Sequence, residues 1–377
     1  MKRLLLALLT ALLLIASAAW AEPFDEAFAA HKRGDYATVL RISRPLAEKG
    51  EAWAQLYLGS SYFEAQGVQE DYVEAIRWFK LAAAQGNAEA QYNLGVMYGN
   101  GQGVPKNYAE AMTWYRLAAA QDTAWAQFEL GVMYAKGLGV PQNKGEAINW
   151  FKVAAAHRHA QAQYTLGAIY AEGLDVPQNN VEAMNWFRLA AAQGYSLAQY
   201  TLGAMYAEGR VVAQDYAEAM KWYRLAAAQG IPLAQVSVGM MYGKGQGVQQ
   251  DNVEAIRWFK LAAAQGNTEA QFRLGLMYAL GGSVTQDYVE AMNWFKLAAA
   301  QGNAEAQFDL GAMYAEGRGV PQDYVHAQMW FSLAAIAGYA NAVNNRDILA
   351  KRMTPQQTAE AQKMAQECQA RKFTGCD

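Results

Sequence analysis

The chain has 377 residues, of which 53% are hydrophobic and 17% are charged. This apolar content excludes a disordered chain, and a total of only 8 prolines excludes a collagen-like one. The formal net charge of −3 offers no basic excess to neutralise phosphates, so we expect no nucleic-acid partner. At about 150 residues per domain, the length alone would suggest two or three globular domains.

Residues 1–21 have the three parts of a secretory signal peptide. A positive Lys2-Arg3 pair precedes an apolar run over residues 4–15, and an A-x-A cleavage site ends at Ala21. The apolar run is too short to span about 30 Å of hydrocarbon as a helix, although an uncleaved membrane anchor is the alternative. We expect a mature chain that starts near Glu22, has no membrane span, and is periplasmic or secreted. It keeps 29 basic and 34 acidic residues, a net charge of −5.

A 36-residue pattern then repeats eight times without insertion over residues 51–338. Separate globular domains cannot be this short without a core of their own, so the repeats are expected to form one array. One glycine and one tryptophan mark each unit. The glycines are Gly59, Gly95, Gly131, Gly167, Gly203, Gly239, Gly275 and Gly311, and the tryptophans are Trp78, Trp114, Trp150, Trp186, Trp222, Trp258, Trp294 and Trp330.

The unit over residues 87–122 predicts two helices. Apolar residues at helical spacing indicate a first helix over about residues 88–100, and a loop rich in glycine ends it. Asn107 is expected to cap the start of the second helix, with Glu110 completing a capping box. At the turn into the next unit, Asp122 replaces the usual left-handed glycine.

The repeated glycine and the repeated aromatic residues are expected to be packing positions. A glycine inside a helix costs about 1 kcal/mol relative to alanine. We expect close backbone approach to the second helix, where Ala75 and Ala82 are small, to offset this cost. Each tryptophan, and the Phe or Tyr after it, is expected to be buried between helices, as in Trp78-Phe79. A tryptophan stack that binds sugar is the alternative.

This pattern resembles the Sel-one-like repeat (SLR) family, a relative of the tetratricopeptide repeat. The match lies in A-Q-x-x-L-G-x-M-Y in the first helix, G-x-G-V-x-Q-D in the loop and E-A-x-x-W-[FY]-[KR]-x-A-A in the second helix. It covers all eight units, with Ala65, Val211 and His326 as the departures. The resemblance implies an all-α fold, a right-handed solenoid of antiparallel helix pairs. It also implies a non-catalytic adaptor, since such proteins mostly act in complex assembly, envelope processes or host contact.

The ends of the array are expected to differ from its middle, because their outer faces meet water. Residues 22–50 are expected to form an N-terminal capping helical pair, and residues 339–377 to form C-terminal capping helices. Thr354 is expected to open the final helix as its N-cap. Near its end, Cys368 and Cys376 are expected to form a disulfide on an exported chain, two free thiols being the alternative.

One face of the first helix does not repeat. Positions 3, 7, 10 and 14 of each unit lie within about 60° on a helical wheel, and their residues differ from unit to unit. We call these positions the variable face and expect a protein or peptide to bind there, on the concave side of the solenoid. Neutral drift on a solvated face is the alternative. The candidate binding residues are Trp53, Tyr57, Glu89, Asn93, Trp125, Glu129, Leu197, Thr201, Leu233, Met240, Glu305 and Asp309.

No cluster of residues indicates catalysis. His157 and His159 lack a neighbouring Cys or carboxylate motif, so they make a poor metal site and are expected at an exposed turn. Neither a G-x-S-x-G nor an S-x-x-K nor an H-E-x-x-H motif occurs. We therefore expect no metal, no cofactor and no enzyme activity. Some cysteine-rich members of the family are described as β-lactamases, which keeps a hydrolase as an alternative, although their cysteine pair in each repeat is missing here.

A basic residue recurs toward the end of the second helix. It is expected to complement the helix dipole and keep the outer face soluble. The alternative is a surface for an anionic polymer, which would make the chain a scaffold associated with envelope polysaccharide or peptidoglycan. We expect a monomer. The members of this basic ladder are Lys80, Arg116, Lys152, Arg188, Arg224, Lys260 and Lys296.

Overall fold

The computed structural model describes residues 23–282, 284–373 and 375–376. Over these ranges the chain forms helices joined by turns, with no β-strand, so the predicted all-α class is confirmed. The predicted signal peptide lies outside the described residues. None of the described helices combines the length and the apolar character that a membrane span requires.

The helices come in pairs, and we call the first helix of a repeat its A-helix and the second its B-helix. Before the repeats, α1 spans residues 23–32 and α2 spans Tyr36–Glu48. The A-helices are α3 (Ala52–Phe63), α5 (Ala88–Asn100), α7 (Ala124–Lys136), α9 (Ala160–Glu172), α11 (Ser196–Glu208), α13 (Pro232–Lys244), α15 (Thr268–Leu280) and α17 (Ala304–Glu316). The B-helices are α4 (Tyr72–Ala84), α6 (Tyr108–Ala119), α8 (Lys144–Ala156), α10 (Asn180–Ala192), α12 (Tyr216–Ala228), α14 (Asn252–Ala264), α16 (Tyr288–Ala300) and α18 (Tyr324–Ile336). After them, α19 spans Ala340–Ala350 and α20 spans Pro355–Ala370.

The two helices of a pair are antiparallel. The backbone N–H of Asp71, just before α4, donates to the carbonyl of Tyr62 near the end of α3 (3.0 Å). At the other end of α4, the side chain of Gln85 donates to Gln55 near the beginning of α3 (2.9 Å). Because α4 also packs against α5, this B-helix joins its own A-helix to that of the next repeat, and α6, α8, α12, α14 and α16 do the same.

The chain divides into two compact units, and the boundary falls inside α10. The N-terminal unit ends at Ala190 and the C-terminal unit begins at Ala191. In the N-terminal unit the core is a series of similar clusters, one of which contains Phe79 and Leu94. In the C-terminal unit the last cluster includes Trp330 from α18.

The repeated glycine faces an aromatic ring. A Cβ atom on Gly95 would lie 2.5 Å from the ring of Tyr115, and one on Gly59 would lie 2.7 Å from the ring of Phe79. The nearest atoms at these two positions are those of the ring rather than backbone, whereas at the equivalent Gly131 the carbonyl oxygen of Ala147 in the B-helix also lies at 3.2 Å. The volume that glycine leaves empty is filled by the second aromatic residue of the B-helix, so the glycine and the ring form one packing unit.

The repeated tryptophan is less buried than expected. Only Trp78 and Trp330 are buried among the eight, while the others are half-buried. The expectation of uniform burial is wrong because the Phe or Tyr after the tryptophan occupies the space between the helices. The indole instead lies at the margin of the core, where the Nε1 of Trp114 donates to Glu110 (3.0 Å).

The B-helices have the predicted N-caps but not the predicted capping boxes. The side-chain oxygen of Asn107 accepts from the backbone N–H groups of Ala109 and Glu110 (both 3.1 Å). The N–H of Asn107 itself donates to the Tyr98 carbonyl (2.8 Å), so it has no need of the Glu110 carboxylate. Among the described residues, a complete capping box forms at the start of α20, where Thr354 was predicted as the N-cap.

A buried glutamine on the A-helix links neighbouring pairs. Gln91 donates to the carbonyl of Ala83 in the preceding B-helix (3.3 Å) and accepts from Gln121 after α6 (2.8 Å). In the next repeat, His157 takes the place of the second glutamine and its Nδ1 lies 2.8 Å from Gln127. These bonds satisfy polar groups that burial would otherwise leave unpaired.

The final helix closes the C-terminal unit. The sulfur atoms of Cys368 and Cys376 are bonded in the structure, with their Cα atoms 5.2 Å apart, and both residues are buried. Cys368 belongs to the same core cluster as Trp330 and Leu333 of α18. The disulfide therefore ties the chain end to the helix that packs on the last repeat.

Candidate functional site

The variable face follows grooves between neighbouring A-helices. Position 14 is exposed in every repeat, and positions 7 and 10 are half-buried in every repeat. In the C-terminal unit, Met240 and Arg273 line one groove of about 210 Å³, and Leu280 and Asp309 line another of about 170 Å³. Residues that differ between repeats thus lie at the bottom and rim of grooves that the repeated residues build.

Trp53, a candidate binding residue of the variable face, is half-buried. Its ring centroid lies 5.4 Å from that of Phe24 in α1 and 6.0 Å from that of Tyr57. His31, also in α1, lies 5.5 Å from the ring of Tyr57. The helix before the repeats covers this end of the variable face, so Trp53 and Tyr57 contribute to packing.

Trp125 is open, with 57% of the residue exposed. Its ring is in edge contact with His159 from the start of α9, at 4.3 Å between centroids. On the side of α5, Trp125 lines an open pocket of about 610 Å³. The other residues of this pocket are Ala88, Glu89, Tyr92, Asn93 and Thr123.

His159 is buried, which corrects the expectation of an exposed turn, whereas His157 is exposed. The Nδ1 of His159 accepts a hydrogen bond from the N–H of Ala162 (3.2 Å), and the His159 ring stacks on Phe128 with 4.8 Å between the ring centroids. Its Nε2 is buried without a hydrogen-bond partner in the part of the chain that the structure describes. Burial lowers the pKa of His159 to about 4, so it is neutral at physiological pH. Within the same described part, no group of three or more His, Cys, Asp or Glu side chains is placed to hold a metal.

Glu129 lies one helical turn after Trp125 and is half-buried. Its carboxylate has neither a hydrogen bond nor an ion pair among the described residues. Burial raises the pKa of Glu129, against a smaller opposing effect of Lys136. Burial also raises the pKa of Tyr92, and the charge of Glu129 adds to that rise. A desolvated carboxylate without a partner destabilises the folded chain.

In the C-terminal unit, Asp309 occupies the position that Glu129 has in its own repeat. Burial, and then the charge of Glu305 one turn earlier, raise the pKa of Asp309 to about 6. Leu197 and Leu233 are exposed on the same face. Thr201 is half-buried, and its hydroxyl donates to the carbonyl of Leu197 (2.8 Å).

Sequence reasoning missed a second apolar row, on the B-helices. It contains one exposed Leu or Val in each of the first seven repeats, and its constancy makes it look like a core position in the sequence. In the last repeat the equivalent Leu333 is only 1% exposed, because α20 packs there. The exposed members are Leu81, Leu117, Val153, Leu189, Leu225, Leu261 and Leu297.

The basic ladder contacts tyrosines of the following A-helix. Arg116 donates to the hydroxyl of Tyr134 (3.0 Å), and the Lys80 ammonium lies 5.6 Å from the centroid of the Tyr98 ring. These contacts use the repeated Tyr of the A-helix motif. The basic residues thus join one repeat to the next, besides lying near helix ends.

Comparison with known proteins identifies the family. The Sel1 repeat family model matches eight consecutive segments, 54–87, 88–123, 126–159, 160–195, 196–231, 232–267, 268–303 and 304–339. This chain belongs to the Sel1 repeat family. The resemblance seen in the sequence is thereby confirmed, and proteins built from Sel1 repeats are generally scaffolds for protein interaction.

Two solved Sel1 repeat structures are similar over most of the chain. The first is c5321, a protective antigen of uropathogenic Escherichia coli strains with an SLR fold; it is 35% identical, over 89% of this chain and 73% of that one, with a TM-score of 0.75. The second is a Sel1 repeat protein from Oxalobacter formigenes, 36% identical over 82% of this chain and 90% of that one, with a TM-score of 0.60. A search of curated proteins finds no significant match.

Proposed function

We propose that this chain is an exported, non-catalytic scaffold that binds a protein or peptide on its variable face. The observation that carries the proposal is the contrast between repeated and variable positions. Most repeated positions are occupied by packing within the array, the exposed Leu or Val row of the B-helices being the exception, whereas the variable face differs between repeats and exposes Trp125, Leu197 and Leu233. Exposed apolar residues on an otherwise polar face usually mark a contact.

The energetics of the exposed residues support a protein partner. Full burial of a Leu or an aromatic side chain contributes about 1.5–3 kcal/mol. Leu233 is 53% exposed and Trp125 is 57% exposed, so a partner would gain part of that amount at each residue. The grooves between A-helices are open to solvent rather than enclosed, which suits a polypeptide segment better than a compact small molecule.

Two features support export. The first is the signal-peptide pattern over residues 1–21. The second is the bond between Cys368 and Cys376, because disulfides persist in oxidising compartments and are rare in the cytosol. We therefore place the scaffold in the periplasm or outside the cell.

Site-specific photo-crosslinking in the native cell tests the binding face. A photo-reactive amino acid at position 125 or 233 should crosslink to a discrete partner. Leu117 and Leu225 are the matched controls, because they are exposed to a similar degree but lie in the B-helix row. Equal or stronger crosslinking from positions 117 and 225 would assign binding to the B-helices and contradict the proposal.

Substitution gives an independent test of the same face. The double variant Trp125→Ser, Leu233→Ser should abolish recovery of the crosslinked partner while helicity by circular dichroism stays unchanged. Leu117→Ser with Leu225→Ser is the control and should leave recovery intact. If the double variant on the variable face recovers as much partner as the parent chain, that face is not the binding site.

A further inference from the structure

We infer that the pocket between α5 and α7 accepts a basic side chain, a lysine or an arginine, of the bound polypeptide. This inference rests on the proposed function and names the chemistry of its partner. The pocket is lined by Glu89, Tyr92 and Trp125, among others, and Glu129 lies beside it, close enough for its charge to raise the pKa of Tyr92. They combine an accessible indole, negative charge and a carboxylate that has no partner.

The indole is accessible and already positioned. His159 contacts Trp125 from the side of α9, and the open pocket lies on the side of α5. The His159 contact restrains the indole on one side and leaves its other side accessible to a partner. A Lys or Arg cation is attracted to the face of an indole within about 6 Å of its centroid, more than to a Tyr or Phe ring.

The carboxylates supply charge complementarity. Glu89 lines the pocket and is exposed, without a hydrogen bond or ion pair in the described part of the chain. Glu129, one turn beyond Trp125, is equally without a partner and is partly withdrawn from water. An ion pair is stronger where water is partly excluded, and the desolvation of Glu129 has already taken place in the unbound protein.

The surroundings of the pocket have the same sign. In the N-terminal unit the variable face carries four acidic residues and one basic residue, a net charge of −3. These are Glu64, Glu89, Glu129 and Glu172 against Lys136. The basic ladder of this unit lies on the B-helices, where Arg116 is bonded to Tyr134. A negative face repels acidic polypeptides and attracts basic ones, which sets the preference for partner.

Glu129 is the one acidic residue at its repeat position in the N-terminal unit, and Asp309 has the equivalent place in the C-terminal unit. In the neighbouring repeats the same position holds the neutral residues Asn93 and Thr165. The hydroxyl of Thr165 donates to the carbonyl of Gln161 (2.8 Å), so that repeat satisfies the position locally. A carboxylate that destabilises its own fold, at a place where neutral residues fit, is explained by a cation that arrives with the partner.

The test selects peptides without assuming a sequence. A phage-displayed library of random dodecapeptides is selected on the immobilised mature protein and on its Trp125→Leu variant. Peptides that depend on Trp125 should be enriched in Lys or Arg relative to the unselected library. A synthetic peptide in which the basic residue is replaced by norleucine or citrulline should bind about tenfold more weakly, by fluorescence anisotropy.

A double-substitution cycle assigns that loss to the pocket. Glu129→Gln and Glu89→Gln should each weaken the basic peptide several-fold but bind the uncharged peptide as the parent protein does. Glu129→Gln removes a buried charge and should fold at least as well. Glu146→Gln in α8 is the control, since it removes one negative charge from the same unit outside the variable face, and it should leave binding unchanged.

The outcomes separate this inference from the proposed function. A selection that yields no binders, or Trp125-dependent binders without basic enrichment, overturns the basic-side-chain inference, as does a Glu129→Gln variant that binds the basic peptide with unchanged affinity. The proposed function is then still decided by crosslinking at positions 125 and 233, which requires no particular charge. Loss of that crosslinking removes both.

Discussion

Trp53 and Trp125 occupy the same position of two repeats but have different surroundings. Trp53 packs under Phe24 of the helix before the array, whereas Trp125 is open beside a pocket. Their register in the repeat is the same, so the difference comes from residues that do not repeat. An exposed position on a repeat becomes a candidate binding residue only where no capping element covers it.

The largest expected loss of stability is at Gly131, a repeated packing position in the same helix as Trp125. It is the reference against which the losses at the two tryptophans are judged. A Cβ atom on Gly131, in the same helix, would lie 2.5 Å from the Phe151 ring and 3.2 Å from the Ala147 carbonyl oxygen. Gly131→Ala should lower the free energy of unfolding by about 3 kcal/mol, since overpacking forces the ring or the backbone to move. Urea denaturation followed by circular dichroism measures it. A loss below that of Trp125→Ala would show that the ring moves without cost.

The next effect compares the two tryptophans directly. Trp53→Ala should cost about 2 kcal/mol, because it removes a half-buried ring packed on Phe24 and Tyr57. Trp125→Ala should cost less than about 1 kcal/mol, because most of the residue is already exposed. Urea denaturation measures both losses of stability. Crosslinking of the partner from position 233 should be lost in Trp125→Ala and kept in Trp53→Ala. Equal costs in the two variants would contradict the distinction drawn here.

The next prediction concerns His159, which lies against Trp125, and the dependence of the free energy of unfolding on pH. Folding lowers the pKa of His159 from 6.5 to about 4, so the unfolded chain holds the proton more tightly. Stability is therefore lost as pH falls from about 6.5 to about 4. His159→Asn should remove about 2 kcal/mol of that loss between pH 7.5 and pH 4.5.

The matched residue for this test already exists in the chain. Asn87 and Asn267 stand at the equivalent position and cap their A-helices with the same side-chain to backbone bond. The variant should thus keep the cap. If the urea midpoints of the parent protein and of the variant decrease by the same amount between pH 7.5 and pH 4.5, His159 does not cause the loss of stability at low pH.

The smallest effect concerns the acidic position of the C-terminal unit. Folding raises the pKa of Asp309 from 3.8 to about 6, so its stabilising contribution is present below pH 3.8 and lost as pH rises through 6. Asp309→Asn should gain about 1 kcal/mol at pH 7.5, after allowance for partial exposure, and only a small fraction of that at pH 4. Urea midpoints at the two pH values measure it. A gain of the same size at pH 4 would mean that charge is not its cause.

Local signals predicted the repeat well. The first helix of the unit at residues 87–122 was expected over about residues 88–100, and it spans Ala88–Asn100. Asn107 was expected to cap the second helix, and it does. These features depend on residues a few positions apart, and eight copies make the signal strong. The Sel1 repeat family and the all-α class follow from the same repetition.

The sequence was less informative wherever a contact crosses repeats. His159 was assigned to an exposed turn, but Trp125 and Phe128 cover it from the preceding A-helix. Trp53 was assigned to the open face, but α1 covers it. In both cases the decisive neighbour lies about 30 residues away and outside the repeat pattern. Periodicity identifies the face of a helix, whereas the partner on that face has to be known from three-dimensional packing.

The glutamine link between repeats has a consequence for how such a chain can evolve. In most repeats the same glutamine-to-glutamine hydrogen bond recurs; for example, Gln121 donates to Gln91 and Gln301 donates to Gln271. Because neighbouring repeats are linked by the same hydrogen bond, a 36-residue segment could be duplicated, deleted or moved without the creation of a new kind of interface. Two repeats depart from this rule. His157 replaces the glutamine in one of them but keeps the bond to Gln127. In the last repeat Ala337 stands in its place, and the side-chain oxygen of Gln307 has no partner among the residues that the structure describes. Gene rearrangement could therefore reorder the binding residues along the array at little structural cost, provided that this terminal repeat stays last.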